Sequence, residues 1–132
     1  MAVAITGLKT ILVIEDDPWT RTITTALLAG EGFGVVEAKN GEEGLKLARE
    51  HSPDAILLDL ALPTKSGLEV LRELKGDSRT HDIPVIVVSA YGTLMSEQDA
   101  HQAVGVIQKP FDYDDLVGQV ERATRSLEPV LT

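Results

Sequence analysis

Four consecutive apolar residues, Ala55-Ile56-Leu57-Leu58, run directly into an acid, Asp59. Pro53 lies just upstream, and Pro63 and Gly67 lie just downstream. The run is too short for an ordinary helix and is closed off by turn residues on both sides. It therefore reads as a strand buried on both faces, as in a parallel sheet covered by helices. In open parallel sheets, ligands bind outside the carboxyl ends of the strands, and Asp59 sits at such an end. The rest of the chain reads as a scaffold that presents this carboxylate.

The flanking segments repeat one pattern. Thr10-Ile11-Leu12-Val13-Ile14 is a β-branched, apolar strand that ends in Glu15-Asp16-Asp17. Pro18 then opens a helix to about Ala29, with Asp17 before it as a cap and Ile23, Ala26 and Leu27 as its buried face. Val35-Val36 is a short strand. A second helix opens at Asn40 or Gly41, with Glu42 and Glu43 in its first turn and Leu45, Leu47 and Ala48 facing inward. Ser66 caps a third helix carrying Leu68, Val70, Leu71 and Leu74. Beyond the loop from Gly76 to Asp82, Ile83 to Val88 is a buried strand ending at Ser89-Ala90. A weaker helix spans roughly Leu94 to Val104, and Val106-Ile107-Gln108 is a last strand ending at Lys109-Pro110. Asp112 caps a final helix with Leu116, Val117, Val120 and Ala123 inward, closed by Pro129.

Strands thus alternate with helices five times. Parallel strands need crossovers, and crossovers are right-handed, so the pattern predicts an α/β fold. The architecture is a flavodoxin-like (βα)5 three-layer sandwich with sheet order 2-1-3-4-5. At 132 residues the chain suits one domain over 1–132, with a core of about 9–127. Only Leu127 to Thr132 follow Ser126, too few for a further fold. That suits either a regulator acting through protein contacts or one domain of a longer chain. With no cysteine, disulfides and thiolate metal sites are excluded. No apolar run reaches the ~18 residues of a membrane span, and no signal-peptide layout is present, so a cytoplasmic protein is expected. The net charge is −9, with 21 acidic and 12 basic residues, which argues against direct contact with nucleic acid phosphates.

In this sheet order four strands deliver polar groups to one rim: Glu15 and Asp16, Asp59, Ser89 and Lys109. Each has an ordinary explanation when taken singly, as a turn residue, a cap or a solvated charge. Their coincidence at one edge is the signal. Crowded carboxylates raise one another's pKa, and a hard divalent cation relieves them. Mg²⁺ takes oxygen ligands and is usually shared with phosphate oxygens. A facing ammonium and hydroxyl suit a phosphoryl group. With no His or Cys in the pattern, Asp59 is the candidate nucleophile. The residues point to a Mg²⁺-dependent site that forms an aspartyl phosphate.

These residues match a known family. The chain resembles the receiver domain of two-component response regulators from about Lys9 to Leu127. The match rests on Ile11-Leu12-Val13-Ile14-Glu15-Asp16-Asp17-Pro18, Asp59-Leu60-Ala61-Leu62-Pro63 with Gly67, Val88-Ser89-Ala90 and Lys109-Pro110-Phe111. The resemblance implies that Asp59 is the phosphoacceptor, charged by a histidine kinase or phosphotransfer protein. It implies Asp16 as a direct Mg²⁺ ligand, Glu15 as a ligand through water, and the Ala61 backbone carbonyl as a further ligand. Ser89 is similar to the switch hydroxyl and Lys109 to the phosphate-binding lysine, with a cis peptide at Lys109-Pro110. The family's behaviour implies a self-modifying signalling domain with a downstream protein target, not a turnover enzyme.

Three departures stand out. Val106 occupies the position where the family often has an aromatic switch. The stretch from Ser89 to Lys109 is shorter than usual, with the shortage around Val104-Gly105-Val106. Ala61 and Tyr91 stand where side chains tune loss of the phosphoryl group, and slow self-dephosphorylation is expected. Two other readings compete. A phosphorylation-independent receiver-like interaction domain would use the shortened region near Gly105. A Mg²⁺-dependent phosphohydrolase would need a general acid where Ala61 stands. A flavin module is disfavoured, because Glu15-Asp16-Asp17 would repel the cofactor phosphate.

Overall fold

Alternation of strand and helix persists from one end of the ordered core to the other. A computed structural model describes residues 8–90 and 95–125. The strands are β1 (Thr10–Ile14), β2 (Gly34–Ala38), β3 (Ala55–Asp59), β4 (Val85–Ala90) and β5 (Gly105–Lys109). The helices are α1 (Pro18–Gly30), α2 (Gly41–His51), α3 (Gly67–Gly76), α4 (Glu97–Gln102) and α5 (Tyr113–Thr124). All four strand pairings are parallel, in the order β2-β1-β3-β4-β5. This is the expected flavodoxin-like order. Among the described residues, no helix is long and apolar enough to cross a membrane.

The period-two alternation of the strands divides the core in two. Leu12 and Ile14, Ile56 and Leu58, and Val85 and Val87 pack with Leu45 and Ala48 of α2 and with Val70, Leu71 and Leu74 of α3. Ile11 and Val13, Ala55 and Leu57, Ile86 and Val88, and Ile107 pack with Leu28 of α1 and with Leu116 and Val120 of α5. Every residue of β3 is buried, because it is central and covered on both faces. The caps follow the sequence: Asn40 accepts from the Glu43 amide, Asp112 accepts from the Asp115 amide, and Ser66 forms a capping box with Glu69.

Three boundaries or faces differ from the sequence reading. Helix α1 buries Thr24 and Leu28, with Leu27 half-buried, while Ile23 and Ala26 are exposed. Two apolar stripes overlap in this helix, and hydrophobicity does not choose between them. The phase that wins places Arg21, Thr24 and Leu28 on one stripe, so that Arg21 reaches back to the Glu15 carbonyl. Helix α4 is only Glu97–Gln102, capped by Ser96, and shorter than the expected Leu94–Val104. It stops because the Val104 amide donates to the Val85 carbonyl at 2.8 Å and pulls the chain into β5. Leu94, Tyr91 and Pro129 lie outside the described residues. Strand β4 begins at Val85, not Ile83, since Pro84 has no amide to add to the ladder. It runs on through Ser89 to Ala90.

The helix phase is testable by urea unfolding. Leu28 is fully buried and Leu28→Ala is expected to destabilise by about 2–5 kcal/mol. Ile23→Ala is expected to lose less than about 1 kcal/mol. The opposite ranking would mean that the apolar stripe through Ile23 faces the sheet.

Candidate functional site

The site is assembled where β1, β3 and β5 end. The Glu15 amide donates to the Ala38 carbonyl at 3.0 Å, so the β1–β2 ladder continues one residue past Ile14 and fixes the start of the acid run. Asp17 then turns away from the rim. Its Oδ2 accepts from the Thr20 amide and hydroxyl, each at 2.7 Å, and caps α1. The Thr20 hydroxyl and amide bonds hold the Asp17 carboxyl below its ordinary pKa. Glu15 keeps the alternation of Ile11 and Val13, Asp59 that of Leu57, and Lys109 that of Ile107. All three charged side chains therefore leave the sheet on the α1/α5 side.

Their contacts are direct. Lys109 Nζ lies 3.0 Å from Glu15 Oε1 and 3.2 Å from Asp59 Oδ2. The other Asp59 oxygen, Oδ1, accepts from the Ala61 amide at 3.0 Å. Carboxylate oxygens of Glu15, Asp16 and Asp59 all lie within 4.8 Å of one another. The Asp59 side chain is 4% exposed and that of Glu15 6%, whereas Asp16 is open to solvent. Gly67 closes the β3–α3 loop onto this corner. Its amide donates to the Leu60 carbonyl at 3.1 Å, and a Cβ at this position would lie 2.3 Å from the Asp59 carbonyl oxygen. Only glycine permits that approach.

Electrostatics follow from the burial. Burial, together with the neighbouring Asp59 carboxyl, raises the Glu15 pKa to about 7, against the opposing pull of Lys109. Burial also works against the Lys109 ammonium, but the Glu15 hydrogen bond and the Asp59 charge outweigh it and raise its pKa above the ordinary lysine value. A set of hard oxygen donors that is short of positive charge suits a hard divalent cation. The residues present therefore fit Mg²⁺, with Glu15, Asp16 and Asp59 as the carboxylates that would hold it.

The structure places the remaining candidates less directly. Ser89 is buried in β4, one residue beyond Val88, the register partner of Asp59. Among the described residues, it makes no hydrogen bond to Asp59 or Lys109. Ala61 is exposed next to Asp59. Val106 is 45% exposed on β5, and its carbonyl accepts from Gln119. The Lys109-Pro110 peptide is cis. Arg21 had no place in the sequence reading, yet its Nη1 donates to the Glu15 carbonyl at 2.8 Å and to the Asp16 carbonyl at 3.3 Å. The only sequence signal for it is a lone arginine one turn into the helix that follows the acids.

The raised Glu15 pKa carries a sign. Between its unfolded value of 4.5 and its folded value of about 7, the folded protein holds a proton that the unfolded chain has released. In metal-free buffer stability therefore falls as pH rises through that window. Glu15→Gln is expected to be more stable than the parent at pH ~8, by about 1–3 kcal/mol, and equal to it at pH ~4. Thermal unfolding at the two pH values checks this, and equal stability at both would place Glu15 in an unstrained setting.

Comparison with known proteins agrees with this geometry. Residues 11–121 match the family model of the response regulator receiver domain. The chain is 39% identical over 94 residues to the polar-differentiation response regulator DivK of Brucella anthropi, a match covering 71% of this chain and 76% of that protein. Its fold superposes on the receiver domain of NtrX from Brucella abortus with a TM-score of 0.80 and 28% identity, covering 88% of this chain and 98% of that one. It superposes on the receiver domain of sensor histidine kinase PA1611 from Pseudomonas aeruginosa PAO1 with a TM-score of 0.81 and 26% identity, covering 91% of this chain and 100% of that one. That structure carries a magnesium ion coordinated in its active site cleft. The chain belongs to the response regulator receiver domain family of two-component signalling systems.

Proposed function

We propose that Asp59 accepts a phosphoryl group from a phosphohistidine of a sensor kinase or phosphotransfer protein, and that the modified domain then binds a downstream protein. The observation that carries this is the Lys109 ammonium shared between Asp59 and Glu15, with Asp16 completing an acid cluster within 4.8 Å. An Asp59 oxygen attacks phosphorus, the P–N bond to the donor imidazole breaks, and Asp59 retains the phosphoryl group as an acyl phosphate. Mg²⁺, when bound, neutralises charge on the acids and on the incoming phosphoryl oxygens. Lys109 is freed from Glu15 to pair with a phosphoryl oxygen, and the Ala61 amide holds Asp59 Oδ1 in place. Ser89, at the next register position on β4, supplies a hydroxyl to the same group. Glu15, Asp16, Asp59 and the Ala61 carbonyl are the proposed Mg²⁺ ligand set, with Glu15 acting through water.

The reaction is a stoichiometric modification of the chain itself, not turnover of a substrate. A phosphohydrolase reading is opposed by Ala61, which offers no general acid beside Asp59. The phosphorylation-independent reading is opposed by the intact contacts among Glu15, Asp59 and Lys109. A cytoplasmic setting suits a domain that meets a kinase there.

Incubation with Mg²⁺ and acetyl phosphate is expected to give one acid-stable, base-labile adduct per chain, absent in Asp59→Asn. Lys109→Ala is expected to slow its formation about a hundredfold. An adduct persisting in Asp59→Asn would move the acceptor elsewhere, and no adduct in the parent would favour the phosphorylation-independent reading. Ala61 carries no side chain able to orient water, so the phosphoryl group is expected to be long-lived. Timing its decay in the parent and in Ala61→Asn with Tyr91→Glu checks this, with faster loss expected in the variant. Unchanged or slower decay counts against the role given to these positions.

A further inference from the structure

We infer that Arg21 is a positioning residue for the metal site, holding the backbone of the acid run so that the Asp16 carboxylate faces those of Glu15 and Asp59. The inference rests on the functional reading above. Its basis is a convergence of backbone carbonyls on one side chain. Arg21 Nη1 donates to the Glu15 carbonyl at 2.8 Å and to the Asp16 carbonyl at 3.3 Å. The Arg21 amide donates to the Asp17 carbonyl at 2.9 Å. The side chain thus gathers two successive carbonyls of the acid run, while the amide bond to Asp17 is the first hydrogen bond of α1 that any residue here would make.

Asp16 makes this anchoring matter. Among the described residues its carboxylate has no hydrogen bond or ion pair, so what is fixed is the backbone from which its Cα–Cβ bond points. Glu15 and Asp59 are held by Lys109, and Asp59 also by the Ala61 amide. The residues on either side of Asp16 are held by the Glu15 amide bond to Ala38 and the Asp17 amide bond to Glu15 Oε2, and the Asp16 carbonyl itself by Arg21. The guanidinium is itself tethered. Its side chain is 14% exposed, with Nε 3.9 Å from Glu37 Oε1, and the Thr25 hydroxyl donates to Glu37 Oε2. Glu37, near the end of β2, thereby orients Arg21 from behind. Groups that orient metal ligands from outside the coordination shell typically change affinity about 10–100-fold when removed. Both carbonyl contacts come from the single nitrogen Nη1, so a lysine ammonium reaching the same point could replace part of them.

The test is calorimetric titration of Mg²⁺ into the parent chain, Arg21→Met, Arg21→Lys and Glu37→Gln, with Arg79→Met as a control for a charge paired elsewhere. Arg21→Met is expected to weaken Mg²⁺ binding about tenfold. Arg21→Lys should recover part of that loss, and Glu37→Gln should give a smaller loss. Phosphorylation by acetyl phosphate should be slow in Arg21→Met at low Mg²⁺ and should return to the parent rate when Mg²⁺ is saturating. Circular dichroism reports folding separately. Lower thermal stability with Mg²⁺ affinity within about twofold of the parent would overturn the inference and leave Arg21 a purely structural residue. If Arg21→Met does not fold, parent-like affinity in both Arg21→Lys and Glu37→Gln overturns it equally. A parent chain that binds no Mg²⁺ would overturn the functional reading and this inference together.

Discussion

The constraint from which the rest follows is the charge balance at the end of β3. Asp59 terminates a strand with no exposed residue, so its carboxylate leaves the protein at a place where water is scarce. An isolated buried carboxylate would neutralise itself by taking up a proton. Lys109 supplies an opposing charge, reaching across from β5 to both Asp59 and Glu15. One ammonium among three acids leaves the corner short of positive charge, and burial, with the neighbouring Asp59 carboxyl, raises the Glu15 pKa. A site in that condition is disposed to take a cation and then an anion that the cation can share.

The scaffold exists to make this balance repeatable. The parallel register sets Asp59 opposite Val88 and sets Ser89 one step further along β4. The side-chain alternation of β1, β3 and β5 turns Glu15, Asp59 and Lys109 to the same side. Caps and tight approaches then fix the loops. Asp17 is spent on α1 and so does not compete for the cation. Gly67 lets the loop after β3 fold against the Asp59 carbonyl. Arg21 gathers the carbonyls of the acid run from the other side. Two core layers, one per face of the sheet, hold these parts in place.

The far edge of the sheet carries the shortest helix among the described residues. Helix α4 has six residues, and only Ala103 separates it from the hydrogen bond that starts β5 pairing. It is joined to α3 by a bidentate pair, with Arg72 donating to both oxygens of the buried Asp99. Apolar packing by a helix this short is limited, so a fully formed ion pair takes a larger share of the anchoring. Val104 and Val106 remain exposed beside it. Strand β5 pairs with β4 in parallel register from Gly105 to Lys109.

The sequence by itself determined the element order, the parallel sheet, the caps at Asp17, Ser66 and Asp112, and the identity of Asp59, Glu15, Asp16 and Lys109 as the groups at the rim. These are legible because they depend on local periodicity and on turn chemistry, both written in neighbouring residues. The phase of α1 was not legible. Ile23, Ala26 and Leu27 form as good an apolar stripe as Thr24 and Leu28, and the choice was made by contacts with the sheet and by Arg21. Nor was the length of α4 legible, since the hydrogen bond from Val104 to Val85 joins segments far apart in the chain. The placement of Lys109 between Glu15 and Asp59, and of Arg21 behind Asp16, was decided only by tertiary structure. Distances between side chains on different strands are set by register and twist, which no single segment encodes.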